Sequence, residues 1–152
     1  MTRETMLAAL AHEHDALDDA AMALDDAAWH APIRADGWSP HDIVAHVADG
    51  TYGMARLLKD ELPAFNFSTP AQIRATLVGI DAFNDQRRAT NAQLTREKVM
   101  SRLASAFTVA QQAVQACPDP AVVRPAGTQQ DLAFWAQRII DHAAGHRAEM
   151  AG

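Results

Sequence analysis

Asp131-Leu132-Ala133-Phe134-Trp135-Ala136-Gln137-Arg138-Ile139-Ile140-Asp141-His142-Ala143-Ala144-Gly145-His146-Arg147-Ala148-Glu149-Met150 decides how the rest of the chain is read. Leu132, Trp135 and Ile139 recur at helical spacing, and the same four-three rhythm next lands on His142 and His146. Two imidazoles therefore stand on the stripe that should face a core. At i and i+4 they lie roughly 40° apart around the axis and about 6 Å apart along it, so two ring nitrogens can reach one cation. The intervening residues are small. Gly145 in mid-helix costs about 1 kcal/mol against Ala and predicts a close approach at that point. Two readings stand side by side: a pair of inert, hydrogen-bonded core histidines, or two of the three ligands that a metal site needs.

Working outward, the 152 residues make the expectation a single domain over 1–152, long enough to bury a core without staples. At 49% hydrophobic and 21% charged, the composition is that of a soluble globular protein, and its alanine content favours helices over strands. A net charge of −6 with no basic stripe argues against nucleic acid as a partner. No apolar run approaches a membrane span, and the N-terminal run lacks a signal-peptide core. The lone Cys117 cannot form an internal disulfide, which fits a reducing, cytoplasmic setting, and it falls on a helical stripe as a small core residue.

Along the chain, residues 3–28 read as one long helix with Leu7, Leu10, His14, Leu17, Ala21, Leu24 and Ala28 inward and the aspartates solvated. Trp29 to Trp38 is a connection. Ser39, Pro40 and Asp42 then mark a helix start, and the second helix should run from Pro40 to about Leu62. Its inner stripe is Ile43, Val47, Gly50, Met54 and Leu57, with His46 beside it and Asp49 and Tyr52 as polar neighbours. Residues 62–69 read as loop. Thr69-Pro70 opens a crossover helix reaching about Asn91, with Ile73, Leu77, Ile80 and Phe83 inward and a very polar second half. Thr95 caps the next helix, whose stripe is Val99, Leu103, Phe107, Ala110, Val114 and Cys117. Residues 118–127 read as loop, and Thr128 with Asp131 as a variant capping box for the last helix.

Two motifs carry a family resemblance. Gly37-Trp38-Ser39-Pro40-His41-Asp42-Ile43-Val44-Ala45-His46-Val47-Ala48-Asp49-Gly50 resembles the second-helix signature of the DinB-like superfamily, and His142-x-x-x-His146-Arg147 is similar to its last helix. That superfamily includes the damage-inducible proteins and the N-terminal domain of mycothiol-dependent maleylpyruvate isomerases. The resemblance implies an all-α fold, a four-helix bundle in up-down-down-up order, with a long crossover carrying an extra helix. It also implies a metal triad of His46, His142 and His146, where some members have a glutamate in place of His142. The mycothiol-dependent isomerases carry a second domain after the bundle. This chain stops at Gly152, so isomerase activity itself lies outside the expectation. The superfamily's link to DNA damage concerns induction, not DNA binding.

Three imidazoles leave a divalent ion its full charge and an open position, from which it can lower the pKa of a water or thiol. The expectation is a divalent-metal-dependent enzyme, either a small-thiol S-transferase of the mycothiol or bacillithiol type or a hydrolase. Zn²⁺ is the default ion, with Ni²⁺ or Fe²⁺ as alternatives. Its partners would be a small-molecule substrate and, as in relatives that pair through bundle helices, a second copy in a homodimer. Candidates for catalytic or pocket roles are His14, Tyr52 and Arg147. The competing expectation is a non-catalytic module that binds a small ligand or dimerises, with a structural metal or none; a fourth protein ligand, such as His14, would favour it.

Overall fold

The computed structural model describes residues 1–59, 70–117 (side chains from 78 onward) and 131–152. All secondary structure among them is helical: α1 Arg3–Met22, α2 Asp26–His30, α3 Pro40–Leu58, α4 Pro70–Asn91, α5 Arg96–Ala116 and α6 Leu132–Met150. The expected loops at 62–69 and 118–127, the cap at Thr128, and Ile73 and Leu77 of the crossover stripe lie outside the described residues.

The expected first helix is two helices. The Asp25 side chain accepts the Ala28 N–H at 2.8 Å and starts α2 afresh, because aspartate competes with the helix for backbone donors. Arg96 seals the break: its guanidinium donates to the Ala21 carbonyl at 2.6 Å and lies 4.7 Å from the Trp29 ring centroid. Trp29, expected in a connection, is thereby fully buried in α2. The buried face of α1 is Met6, Leu10, Glu13, Leu17 and Ala21, so Glu13 takes the inward place expected of His14.

Ser39 and Asp42 form a full capping box at the start of α3, with Ser39 N–H donating to Asp42 at 3.0 Å and Asp42 N–H to Ser39 at 3.3 Å. Such a cap contributes about 1 kcal/mol. The helix closes at Leu58, earlier than expected, where the Lys59 N–H reaches the Ala55 carbonyl. Asp131 itself caps α6 by accepting from Phe134 N–H at 2.9 Å.

α3 packs against α5 and α6, and α1 packs against the same two helices. The core between them is built on Leu10, Leu17, Val47, Leu103, Phe107 and Ile139, all essentially inaccessible. Every residue of the expected α5 stripe is buried, Cys117 included. α4 lies on α3, but with its polar end inward: Phe83 is 55% exposed while Asn91 is buried. The cause is Asp49 of α3, which accepts from Arg87 at 3.0 and 3.1 Å and from Asn91 at 2.8 Å. Buried polar groups are admissible when partnered, and here the partner sits on the neighbouring helix.

Candidate metal centre

His46 is carried by α3, and His142 and His146 by α6. Packing of α6 on α3 closes the three rings into a near-equilateral triangle, with centroids 5.0 Å (His46–His142), 4.8 Å (His46–His146) and 4.7 Å (His142–His146) apart. One nitrogen from each ring falls within 4.8 Å of the others, a spacing that can hold a metal ion. The Nε2 atoms of His46 and His142 are 3.1 Å apart. Two nitrogens at 2.0–2.1 Å from a tetrahedral Zn²⁺ would be about 3.3 Å apart, so this pair already stands at ligand spacing.

Burial above all, and then the neighbouring His146, hold the His46 imidazole down to about 4, against a weaker opposing pull from Asp49. Burial followed by the charges of His46 and His146 holds His142 down to about 3. Both rings are therefore neutral near pH 7, the form that ligates metal. The Nδ1 atoms of His142 and His146 are buried without a hydrogen-bond partner. Glu149 Oε1 lies 3.2 Å from His146 Nδ1, close enough to pair but poorly aligned for a hydrogen bond.

The surroundings fix the rings. Trp38 meets His46 edge-on at 5.4 Å. Arg34 lies 4.8 Å from the Trp38 ring centroid and reaches Glu149 at 3.6 Å, which links the segment before α3 to the end of α6. Arg147 points inward: its guanidinium grips the buried Glu13 of α1 through two bonds of 2.7 and 3.2 Å. That clamp ties α6 to α1 at the residue next to His146. The predicted close approach is real but misplaced. A Cβ built at Gly145 meets nothing within 4 Å, whereas one at Gly50 would lie 2.7 Å from His142 Cε1.

The other candidates stand outside the triangle. His14 stacks on Phe107 at 5.1 Å, and among the described residues it is not part of any metal-binding group. Tyr52 is 48% exposed with the Arg56 guanidinium 5.8 Å from its ring. Sequence reasoning missed Glu13, Arg34 and Glu149; the only signal was a charged residue falling on an otherwise apolar helical face, as Glu13 does between Leu10 and Leu17.

Residues 10–151 match the family described as the mycothiol maleylpyruvate isomerase N-terminal domain. The chain belongs to this family. The isomerase N-terminal domain is a member of the DinB-like superfamily, in agreement with the resemblance carried by the two histidine motifs. No curated protein and no solved structure matches the chain.

Proposed function

We propose that the chain is a divalent-metal-dependent enzyme acting on a small thiol, an S-transferase of the mycothiol type, with His46, His142 and His146 as the metal ligands. The observation that carries this reading is the triangle itself: three imidazoles within 4.8 Å, two of them held neutral by burial. The donor set fits a borderline ion, with Zn²⁺ as the default and Ni²⁺ or Fe²⁺ as alternatives. When bound, a divalent ion there would supply Lewis acidity, lowering the pKa of a thiol or water. The protein's part is to fix the three rings. Trp38 walls His46, Glu149 stands at His146 Nδ1 to orient it, and Arg147 with Glu13 holds α6 in register. Arg147 thus enters as a positioning residue.

A structural zinc usually has four protein ligands. Among the described residues no further His, Cys, Asp or Glu joins the group, which favours an open position and an enzyme over a structural site. The family membership favours a thiol co-substrate over plain hydrolysis.

The proposal extends to architecture. The pairwise packing of α1, α3, α5 and α6 around one core supports a four-helix bundle in up-down-down-up order, a single domain over 1–152, with α4 in the crossover. Exposed Val78 and Phe83 on α4 offer apolar surface to a homodimer, to be checked by light scattering. No described helix is long and apolar enough to cross a membrane, and the cytoplasmic setting stays part of the proposal.

The test is metal analysis of protein purified without a histidine tag, followed by a panel of low-molecular-weight thiols offered with electrophilic substrates. Metal-dependent thiol consumption with a mycothiol-type thiol is expected. Metal-loaded protein that hydrolyses substrates without consuming any thiol would replace the S-transferase with a hydrolase.

A further inference from the structure

We infer that Gly50, on α3, is the residue that positions His142 in the triangle. The inference deepens the metal reading above and rests on it for its functional meaning. His142 projects from α6 onto α3 where Gly50 presents bare backbone. A Cβ at that place would lie 2.7 Å from His142 Cε1, 3.3 Å from Nδ1 and 3.4 Å from Nε2. All three contacts are with the outer atoms of the imidazole, so the cost turns on whether that ring can move aside. The first is closer than real Cβ atoms approach anything, so either the ring or the α6 backbone must move.

The ring has little room to do so. Its Nε2 faces His46 Nε2 at 3.1 Å, and its other side meets His146 with centroids 4.7 Å apart. Its own neighbour Ala143 is fully buried in the core, which ties down the backbone. Displacement by a methyl group therefore breaks the nitrogen spacing that the site depends on. Gly50 has no conformational reason to be glycine, since it lies inside a regular helix, where alanine is about 1 kcal/mol better. The ring of His142 is the reason it is there. The same helix supplies the control: a Cβ at Gly53, one turn on, meets nothing within 4 Å.

The experiment compares Gly50→Ala, Gly53→Ala, His142→Ala and the double variant Gly50→Ala/His142→Ala, each as the full chain. It reads the melting temperature of the metal-free protein and Co²⁺ affinity from the visible absorption of the bound ion. Gly53→Ala is expected to raise the metal-free melting temperature by about 2–4 °C and to leave Co²⁺ affinity unchanged. Gly50→Ala is expected to lose that gain and to weaken Co²⁺ binding at least about tenfold, the scale at which outer-shell support is felt. With His142 removed, Gly50→Ala should recover the gain, and should do so even if the single variant fails to fold. A Gly50→Ala protein that binds Co²⁺ as the parent does, or one whose thermal effect is the same with and without His142, would overturn the inference. A parent that binds no Co²⁺ would overturn the metal reading instead, while the thermal comparison would still decide whether Gly50 positions the ring.

Discussion

His41 and His46 stand five residues apart on the same helix, yet they are opposite kinds of histidine. His41 is buried and both of its nitrogens are spent. The Trp29 indole donates to Nδ1 at 3.1 Å, which leaves the proton on Nε2, and Nε2 donates to the Asn91 carbonyl at 3.0 Å. It is an inert core histidine in the full sense: a bridge between α2, α3 and the end of α4. His46, His142 and His146 instead turn nitrogens toward one another, and two Nδ1 atoms in the group have no hydrogen-bond partner. Burial alone therefore does not separate structure from function here. What separates them is where the partners are: His41 spends its nitrogens on an indole and a backbone carbonyl, whereas His46 and His142 meet nitrogen to nitrogen.

The largest way to test that contrast is to delete one histidine from each class. His142→Ala is expected to weaken metal binding by more than the ~100-fold that loss of an outer-shell partner reaches, with helical content intact, since the apolar core is independent of it. His41→Ala is expected to do the reverse. It strands the Trp29 N–H and the Asn91 carbonyl, costing about 2–4 kcal/mol in urea unfolding, with metal stoichiometry unchanged. Equal effects of the two variants on metal content would erase the distinction.

Acidification sharpens it next. In the metal-free fold His46 and His142 resist protonation down to about pH 4 and 3, whereas the same residues in the unfolded chain titrate near 6.5. Below pH 6.5 the unfolded chain therefore binds more protons, and stability falls by about 1.4 kcal/mol per pH unit for each group until its folded value is reached. Above 6.5 the contribution is constant. Urea titrations of metal-free protein between pH 7 and 5 should show this slope, and His46→Ala/His142→Ala should flatten it. A double variant as acid-sensitive as the parent would place the proton uptake elsewhere.

Much of this was open to a reading of single helices. The α5 stripe came through intact because its buried side is purely apolar. His142 and His146 were visible as polar intruders on an apolar rhythm. What a single helix conceals is its partner's chemistry. Phe83 satisfies the apolar periodicity of α4, but Asp49 on α3 draws the polar Arg87 and Asn91 inward and leaves Phe83 exposed. Glu13 falls on an apolar face between Leu10 and Leu17, and nothing within α1 shows that Arg147 arrives from α6 to neutralise it. Gly145 advertised a close approach that belongs to Gly50, because which glycine meets a ring depends on how two helices dock. His14 sits beside the buried face of α1, stacked on Phe107, while Glu13 is on it.

The smallest expected effect concerns the orienting carboxylate. Glu149→Gln keeps the shape at His146 Nδ1 but removes the charge, and should weaken metal affinity about tenfold with no change in stoichiometry. An unchanged affinity would leave Glu149 as a surface partner of Arg34 alone.

The most direct measurement of the central claim is a Co²⁺ titration of chelator-stripped, tag-free protein at pH 7, followed by visible absorption. One ion per chain is expected, with bands characteristic of nitrogen ligation at low coordination number. Those bands should vanish in His46→Ala, His142→Ala and His146→Ala and persist in His41→Ala. A parent protein that shows no such bands at saturating Co²⁺, or whose bands survive the loss of any one of the three histidines, would contradict the assignment and make the triangle a second instance of what His41 already is.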